Sequence, residues 1–390
     1  MTQPGLKIQK VFTLFLDLVA SMVTTRGMRL SPLAVDPGKY LRTCKMPQDI
    51  YEKSGTELFY NPFTFNHDDF GRLILIRIDG HHEIHAVELI VQDENKGAVV
   101  VVYYHNGKVE NYLNQLFSSE KEYVKLDKNW KIIEDQEFEY IFKDTPKGIN
   151  FDLDIKINGE RRIKINLQEN RKEEKRFSVL ATVGAELREV KRFPFIYLKE
   201  AGLIPVEGTE VSFELDGRKM ELSKPPVKVE GKHRFRSVFS FSRLPFFWNE
   251  DQDSYLSPEK LDNAQTFMKG NAVYSFSDNN SHKEIETITY NAHGHSSSFR
   301  FSPAFPDIAS LKAGSKINGK FCLGVDDIDG VIGGKYSVIN RDGEISIDFQ
   351  PEKCWGPIGN KNWISVYHYH AKIKLTEDNK FKLQSKWIVN

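Results

Sequence analysis

The stretch over residues 81–112 constrains the fold of this chain more than any other feature of the sequence. Apolar residues alternate at positions 87, 89 and 91, and an unbroken apolar run follows over residues 98–104. Successive side chains of a strand point to opposite faces, so the pattern predicts a half-buried strand followed by a strand covered on both faces. The segment HNGK at residues 105–108 predicts a hairpin, because Asn-Gly suits the type I′ turn, which needs positive φ at both central positions. The stretch therefore predicts three consecutive antiparallel strands.

The same pattern recurs along the chain. Hairpins are predicted around Asn158-Gly159, Asp216-Gly217 and Arg341-Asp342-Gly343, each between runs of alternating apolar residues. Predicted strands follow one another at roughly 8–12-residue spacing, which is typical of a sandwich or a barrel. The sequence thus predicts a mostly-β protein with two antiparallel β-sandwich or lipocalin-like barrel domains and an N-terminal helix.

The length supports two domains, because single cores stop growing at ~250–300 residues and this chain has 390 residues. The segment KPPVKVEGKH at residues 224–233 places two prolines and a glycine between strand-rich regions, which favours a domain boundary. We expect a helical or irregular segment over residues 1–54, a first β-rich domain over 55–225, and a barrel-like second domain over 226–390.

Residues 7–24 form the clearest candidate helix. Apolar residues follow the i, i+3, i+4, i+7 pattern of an amphipathic helix at Val11, Phe12, Phe15, Leu18, Val19 and Met22. The segment is too short to span a bilayer, and Asp17 interrupts the apolar run of a signal peptide. A helix packed on the body of the protein is favoured, and an interfacial membrane anchor or a cleaved signal are the alternatives.

Charge and cysteine content limit the partners and the compartment. Lys plus Arg and Asp plus Glu both number 54, so no bulk positive charge favours a nucleic acid as partner. The three cysteines are widely spaced and form no disulfide framework, which favours a reducing, cytoplasmic location, with membrane contact through residues 7–24 or secretion as alternatives. No Walker A, dinucleotide-binding, HExxH or GxSxG motif is present, so the sequence indicates no particular cofactor.

Histidines provide the candidate functional groups. Glu83 and His85 lie two positions apart, as do His293 and His295, and such pairs share one face of a strand. We expect these four residues to be catalytic or ligand-orienting, as an acid–base pair or as ligands of a metal that the sequence does not identify. A third pair, His368 and His370, alternates with tyrosines, which a solvent-facing polar strip also explains. A polar strand entry also explains Glu83, and a buried histidine with a partner, on the same face as Val87, explains His85. Gly294 favours a loop at His293 and His295, where the geometry of a strand does not apply.

Aromatic residues are abundant in the second half of the chain, including SVFSFSRLPFFW at residues 237–248 and three later tryptophans. Most should be core, and such residues also line pockets for hydrophobic ligands or stack on sugars. The strand count, the hairpins and the Trp-bearing C-terminal half over residues 55–390 resemble the two-domain calycin proteins related to carotenoid hydratases and the AttH-type lipocalin-like family. The resemblance implies a pocket for a hydrophobic small molecule and a hydratase or isomerase step.

We therefore expect binding of a hydrophobic or amphipathic small molecule or lipid in a β-barrel pocket, with acid–base chemistry as an extension. A carbohydrate-binding or carbohydrate-active sandwich is the first alternative, and it requires aromatic residues in an open groove beside paired carboxylates. A histidine-dependent metalloenzyme is the second alternative, and it requires three His or acidic side chains to meet at one point. A purely structural or interaction protein would instead expose a large apolar patch.

Overall fold

The computed structural model describes most of the chain from residue 58 onwards and a few residues before it. The described residues are 40–41, 46, 49–52, 58–68, 70–92, 97–116, 130–170, 177–182, 191–223, 235–261, 265–326, 331–353, 366–378 and 380–389. The predicted helix over residues 7–24 and the predicted boundary segment 224–233 lie outside these ranges. Nowhere in the described ranges is there a helix long and apolar enough to cross a bilayer.

The protein is mostly β, and its strands form several sheets, one of which curls into a half barrel. In chain order the strands are β1 Leu58–Tyr60, β2 Phe65–His67, β3 Gly71–Asp79, β4 Ile84–Gln92, β5 Gly97–Tyr104, β6 Val109–Leu113, β7 Trp130–Ile133, β8 Phe138–Thr145, β9 Gly148–Ile157, β10 Arg161–Glu169, β11 Phe177–Thr182, β12 Arg192–Pro205, β13 Thr209–Leu215 and β14 Arg218–Lys219. They continue with β15 Glu221–Leu222, β16 Phe235–Glu250, β17 Gln252–Leu256, β18 Pro258–Lys260, β19 Thr266–Lys269, β20 Ala272–Asn279, β21 His282–Ala292, β22 His295–Phe305, β23 Lys316–Val325, β24 Ile332–Arg341, β25 Glu344–Lys353, β26 Tyr367–Leu375 and β27 Phe381–Val389, with one 3₁₀ turn at Ile308–Ser310.

Two ten-stranded sheets and one five-stranded sheet make up the body. The central sheet has the order β11-β12-β16-β3-β4-β5-β6-β7, and β2 and β15 add to it beside β16 and β3. The C-terminal sheet has the order β17-β27-β26-β25-β24-β23-β22-β21-β20-β19, so nearly every strand pairs with its neighbour in sequence. The five-stranded sheet has the order β14-β13-β10-β9-β8, and β1 pairs separately with β18.

The three predicted strands of residues 81–112 are present as β4, β5 and β6, and β5 is buried on both faces as expected. Type I′ geometry is confirmed at Asn158-Gly159, where φ is 51° and 78°. The turn at residues 105–108 differs from the expectation, because only Gly107 has positive φ, at 84°, and its N–H donates to the Tyr104 carbonyl at 3.0 Å. A longer turn with a single left-handed glycine closes that hairpin.

The two large hydrophobic cores of the described residues contact opposite ends of the long strands β12 and β16. Apolar residues of β3, β4 and β5 pack against those of β9, β10 and β13, which forms the core between the central and five-stranded sheets. The larger core lies against the C-terminal sheet and is rich in aromatic rings. β16 contributes Val238 to the first core and Trp248 to the second. Strands from both sides of the predicted division at residues 225 and 226 thus pair within one sheet, and the division itself stays a prediction.

Candidate functional site

Two of the four predicted site residues, His293 and His295, lie where strands of the two large sheets meet. His293 and Gly294 are the central residues of the β21–β22 hairpin, with φ of 49° and 76°, and His295 begins β22. The hairpin lies near β2 and β12 of the central sheet, because the rings of His67 and Tyr197 contact His293 and His295 respectively. We give the name rim cluster to a group of seven residues: His67, Phe70, Tyr197, Tyr290, His293, His295 and Asp326.

His295 and Asp326 form the best-defined pair of the rim cluster. Nδ1 of His295 lies 2.7 Å from Oδ2 of Asp326, and Oδ1 of the same carboxylate accepts the Ser296 backbone N–H at 2.8 Å. The carboxylate therefore fixes the tautomer that carries the proton on Nδ1 and leaves a lone pair on Nε2. Because the His295 side chain is only 12% exposed, this geometry resembles the oriented base of an acid–base site.

Aromatic rings surround that pair. The ring of Phe70 stacks on His295 with centroids 6.1 Å apart and also lies 6.4 Å from the ring of His293. Tyr197 meets His295 edge-on at 4.9 Å. Burial raises the pKa of the Tyr197 phenol, and the nearby Asp326 carboxylate adds to this effect. The phenol therefore stays protonated and can act as a hydrogen-bond donor.

A second histidine pair completes the rim cluster. The rings of His67 and His293 lie 5.2 Å apart and nearly perpendicular, and His67 Nδ1 lies 2.8 Å from the Tyr290 hydroxyl. His67 belongs to β2 and pairs with Phe246 of β16, so its position depends on the central sheet. The rim cluster thus combines histidines from two sheets, which no spacing in the sequence indicates.

His85 lies far from the rim cluster. Phe70 of the cluster precedes Gly71, which pairs with Gln92 at the end of β4, whereas His85 lies near the start of that strand. A β-bulge between Ile84 and Ala86 interrupts its pairing with β5, and the His85 ring lies 6.2 Å from Tyr103 and 5.1 Å from His105. The expectation that His85 shares the buried face of Val87 is therefore wrong, since the bulge reverses the alternation at this residue. Val87 packs in the core against the five-stranded sheet.

Burial, together with the neighbouring His105 and Arg77, lowers the pKa of His85 to about 4. The imidazole is therefore neutral at pH 7, and its buried Nδ1 has no hydrogen-bond partner among the described residues. A neutral imidazole can accept a proton or orient a ligand, but it is not the protonated acid of a reaction at neutral pH.

Glu83 precedes β4, so the two-residue spacing of a strand does not apply to it. Its carboxylate is half-exposed and pairs with Arg161 at 2.5 Å, and Arg161 also contacts Asp216 at 3.1 Å. The same guanidinium lies 3.0 Å from His81 Nε2. The Glu83 carboxylate is thus paired with Arg161, whereas the Glu83 backbone carbonyl accepts the N–H of His105, whose ring lies beside His85. The catalytic role of all four predicted residues stays a prediction.

The third histidine pair lies on the outer face of the C-terminal sheet. His368 and His370 meet Asp348, and among the described residues these three form a group whose ligand atoms could hold a metal ion. By contrast, His293 and His295 do not converge, because they occupy a turn and the strand after it. The sequence did not connect Asp348 with either histidine.

Two open clefts of about 600 and 560 Å³ lie along the five-stranded sheet. The larger is lined by the acidic side chains Glu137, Glu139 and Asp154 beside one aromatic residue, Phe138. Two hydrogen bonds of 2.6 Å from Arg162 lower the pKa of the Asp154 carboxyl, so this group stays ionised and is not a general acid. The carbohydrate alternative stays a prediction.

No family model, curated protein or solved structure matches this chain. The half-barrel sheet is consistent with a barrel-like fold, and the relation to carotenoid hydratases or AttH-type proteins stays a prediction.

Proposed function

We propose that the protein binds an amphipathic small molecule at the rim cluster and that His295 exchanges a proton with it. The observation that supports this most is the His295–Asp326 pair, with its 2.7 Å contact and largely buried imidazole beside Phe70 and Tyr197. An apolar part of the ligand would lie against the partly exposed ring of Phe70, and its polar group would reach Nε2 of His295.

The packing of the larger core supports a site at the rim in preference to one inside the curled sheet. The inner face of the C-terminal sheet is filled by fully buried rings, including Phe299, Phe321 and Phe349, and Trp248 of the central sheet packs among them. Protein interiors of this kind contain few voids larger than a water molecule. A ligand at the rim would displace water and would leave this packing intact.

The roles of the side chains follow from their protonation. The Asp326 carboxylate holds the proton of His295 on Nδ1 and stabilises the imidazolium that forms when Nε2 accepts a proton. The Tyr197 phenol, whose pKa is raised by burial, would donate a hydrogen bond to the polar group of the ligand. This arrangement suits proton transfer at carbon or water addition, as in a hydratase or an isomerase.

Native mass spectrometry of gently purified protein tests the proposal, followed by titration with oleate as an amphipathic probe. We expect a retained lipid-like mass or one oleate per chain for the wild type, and loss of binding for His295→Ala and Asp326→Asn. His370→Ala is the matched control, because it also removes a histidine paired with an aspartate but lies on the outer face. Absence of binding in the wild type, or equal binding by His295→Ala, would contradict the proposal.

A further inference from the structure

Three metal-ligating side chains meet on the outer face of the C-terminal sheet. Asp348 of β25 lies directly opposite His370 of β26, and His368 precedes His370 by two residues on the same face. The intervening Tyr369 and the neighbouring Phe349 are buried on the inner face. Strand alternation therefore directs all three polar side chains outwards, next to one another.

The ligand atoms are close together. The Asp348 carboxylate contacts His370 Nδ1, and its Oδ1 lies 3.8 Å from His368 Nε2. All the ligand atoms of the group lie within 4.8 Å of one another, and the two imidazole rings are 4.1 Å apart. The side chains of His368, Asp348 and His370 are 29%, 30% and 41% exposed, so an ion and its water can reach them from solvent.

We propose that Asp348, His368 and His370 form a binding site for a divalent transition-metal ion, with Zn²⁺ as the reference ion. Two imidazoles and one carboxylate are a common donor set for Zn²⁺, Fe²⁺ and Cu²⁺. Donors around a tetrahedral Zn²⁺ lie about 3.3 Å apart, given bonds of about 2.0–2.1 Å. The 3.8 Å between Oδ1 of Asp348 and Nε2 of His368 is near this value, and the partly exposed side chains can change rotamer to adjust the other separations.

Metal binding at this group would release protons. It needs the neutral imidazole, and each bound ion displaces the protons held by its ligands. The contact between His370 and Asp348 would therefore give way to bonds from both residues to the metal.

Neighbouring residues orient the carboxylate and set the local charge. Ser337 of β24 donates to Oδ2 of Asp348 at 3.3 Å, which is the kind of outer hydrogen bond that fixes a ligating carboxylate. Lys386 of β27 lies opposite His370 in the register, and its positive charge opposes the binding of a cation. Lys372 is paired with Glu344 at 3.1 Å, so its charge is partly offset.

The three protein donors leave a fourth position for water or a small anionic ligand, as in open zinc sites. The site is separate from the rim cluster, because three strands lie between β22 and β26 in the sheet. At about 4.8 Å per strand, the path along the sheet between the two strands is about 19 Å. The proposal therefore does not depend on the proposed function.

Titration of the full-length, chelator-treated protein with Co²⁺, followed by competition with Zn²⁺, tests the site. We expect one Co²⁺ per chain with the visible absorption of a low-coordinate ion, and displacement by Zn²⁺. His368→Ala, His370→Ala and Asp348→Asn should each weaken Zn²⁺ binding at least tenfold. Lys386→Gln should strengthen it several-fold, and this change cannot result from misfolding.

The double variant His293→Ala/His295→Ala is the matched control, because it removes the other His-x-His pair and should keep the Co²⁺ spectrum and the stoichiometry. The proposal is overturned if the wild type shows no saturable Co²⁺ binding. It is equally overturned if binding survives all three ligand substitutions, or if the control variant abolishes it. Far-UV circular dichroism of each variant confirms that the sheet is folded.

Discussion

At the scale of single residues, Glu88 is a buried carboxyl group whose protonation should make the stability depend on pH. It is 3% exposed on β4, accepts a hydrogen bond of 2.5 Å from the Tyr103 hydroxyl, and lies near the buried guanidinium of Arg243. Burial raises the pKa of Glu88 to about 7, against the lowering effects of Tyr103 and Arg243. The folded protein therefore keeps a proton that the unfolded chain releases.

Replacing Glu88 by Gln should flatten the dependence of stability on pH. Between about pH 4.5 and 7 the folded state binds more protons at this site than the unfolded state, so the free energy of unfolding falls as the pH rises through that window. A shift from 4.5 to about 7 corresponds to at most about 3 kcal/mol. Urea unfolding at pH 5 and pH 8 should show this loss in the wild type and a smaller loss in Glu88→Gln.

Glu286→Gln is the control for that comparison, since it removes one carboxylate at an exposed position of β21. The interpretation of Glu88 fails if Glu88→Gln and Glu286→Gln show the same difference in free energy between the two pH values. In that case the pH dependence of stability comes from other groups.

At the scale of strands, β23 and β24 pack closely because a glycine lies under an aromatic ring. Gly334 is directly opposite Phe321, whose ring occupies the space that a side chain at position 334 would need. A Cβ there would also lie 2.5 Å from the backbone oxygen of Gln350, which cannot move without disturbing β25. Only glycine fits this position of β24.

Gly334→Ala should therefore lower the free energy of unfolding by about 1–3 kcal/mol, the usual cost of overpacking. Gly324→Ala is the matched control on β23, because its Cβ would meet only side-chain atoms, of Val331 at 3.2 Å and of Ser298 at 3.9 Å, and these can adjust. Its effect should stay within about 1 kcal/mol of zero. Chemical denaturation of both variants measures the difference, and equal losses would refute the packing argument.

Strands and turns were predictable from the sequence where the signal is local. The alternation of apolar residues and the Asn-Gly and Asp-Gly turns located the hairpins β9–β10, β13–β14 and β24–β25, because both signals depend on neighbouring residues alone. The bulge at His85 was not predictable, since it depends on how β4 pairs with Tyr103 and Tyr104 of β5. The one extra residue of this bulge changed the face of β4 on which His85 lies.

The candidate sites were predictable only as isolated pairs. The His-x-His spacings drew attention to His295 and His370, but their partners are Asp326, which follows β23, and Asp348 of β25. No spacing in the sequence relates either aspartate to its histidine. His67 of the rim cluster lies more than 200 residues from His293 in sequence, and no periodicity could connect them.

At the scale of the whole molecule, β16 joins the two cores. Val238 near its start packs between the central and five-stranded sheets, and Trp248 near its end packs against the C-terminal sheet. The ring of Trp248 is fully buried and lies 4.4 Å from Phe299 and 5.0 Å from Phe349 of that sheet. A disturbance at one end of β16 should therefore reach the other core through the strand.

Trp248→Ala should lower the free energy of unfolding by about 3–5 kcal/mol, as expected for a large buried ring. Because β16 belongs to both cores, we expect calorimetry to show one unfolding transition that moves to lower temperature as a whole. Hydrogen exchange should also become faster in β9 and β10 of the five-stranded sheet, which Trp248 does not touch. Val238→Ala should produce the reciprocal effect in β22 and β25, with a smaller loss of stability.

The opposite outcome would support the division at residues 225 and 226 as a boundary between independent folding units. Two transitions would then appear, and Trp248→Ala would shift only the one that belongs to the C-terminal sheet, with unchanged exchange in β9 and β10. Such a result would require β16 to separate from β3 and β12 before the central sheet unfolds. The six residues of β16 in register with β3 and the eleven in register with β12 oppose that separation, so we expect the cooperative outcome.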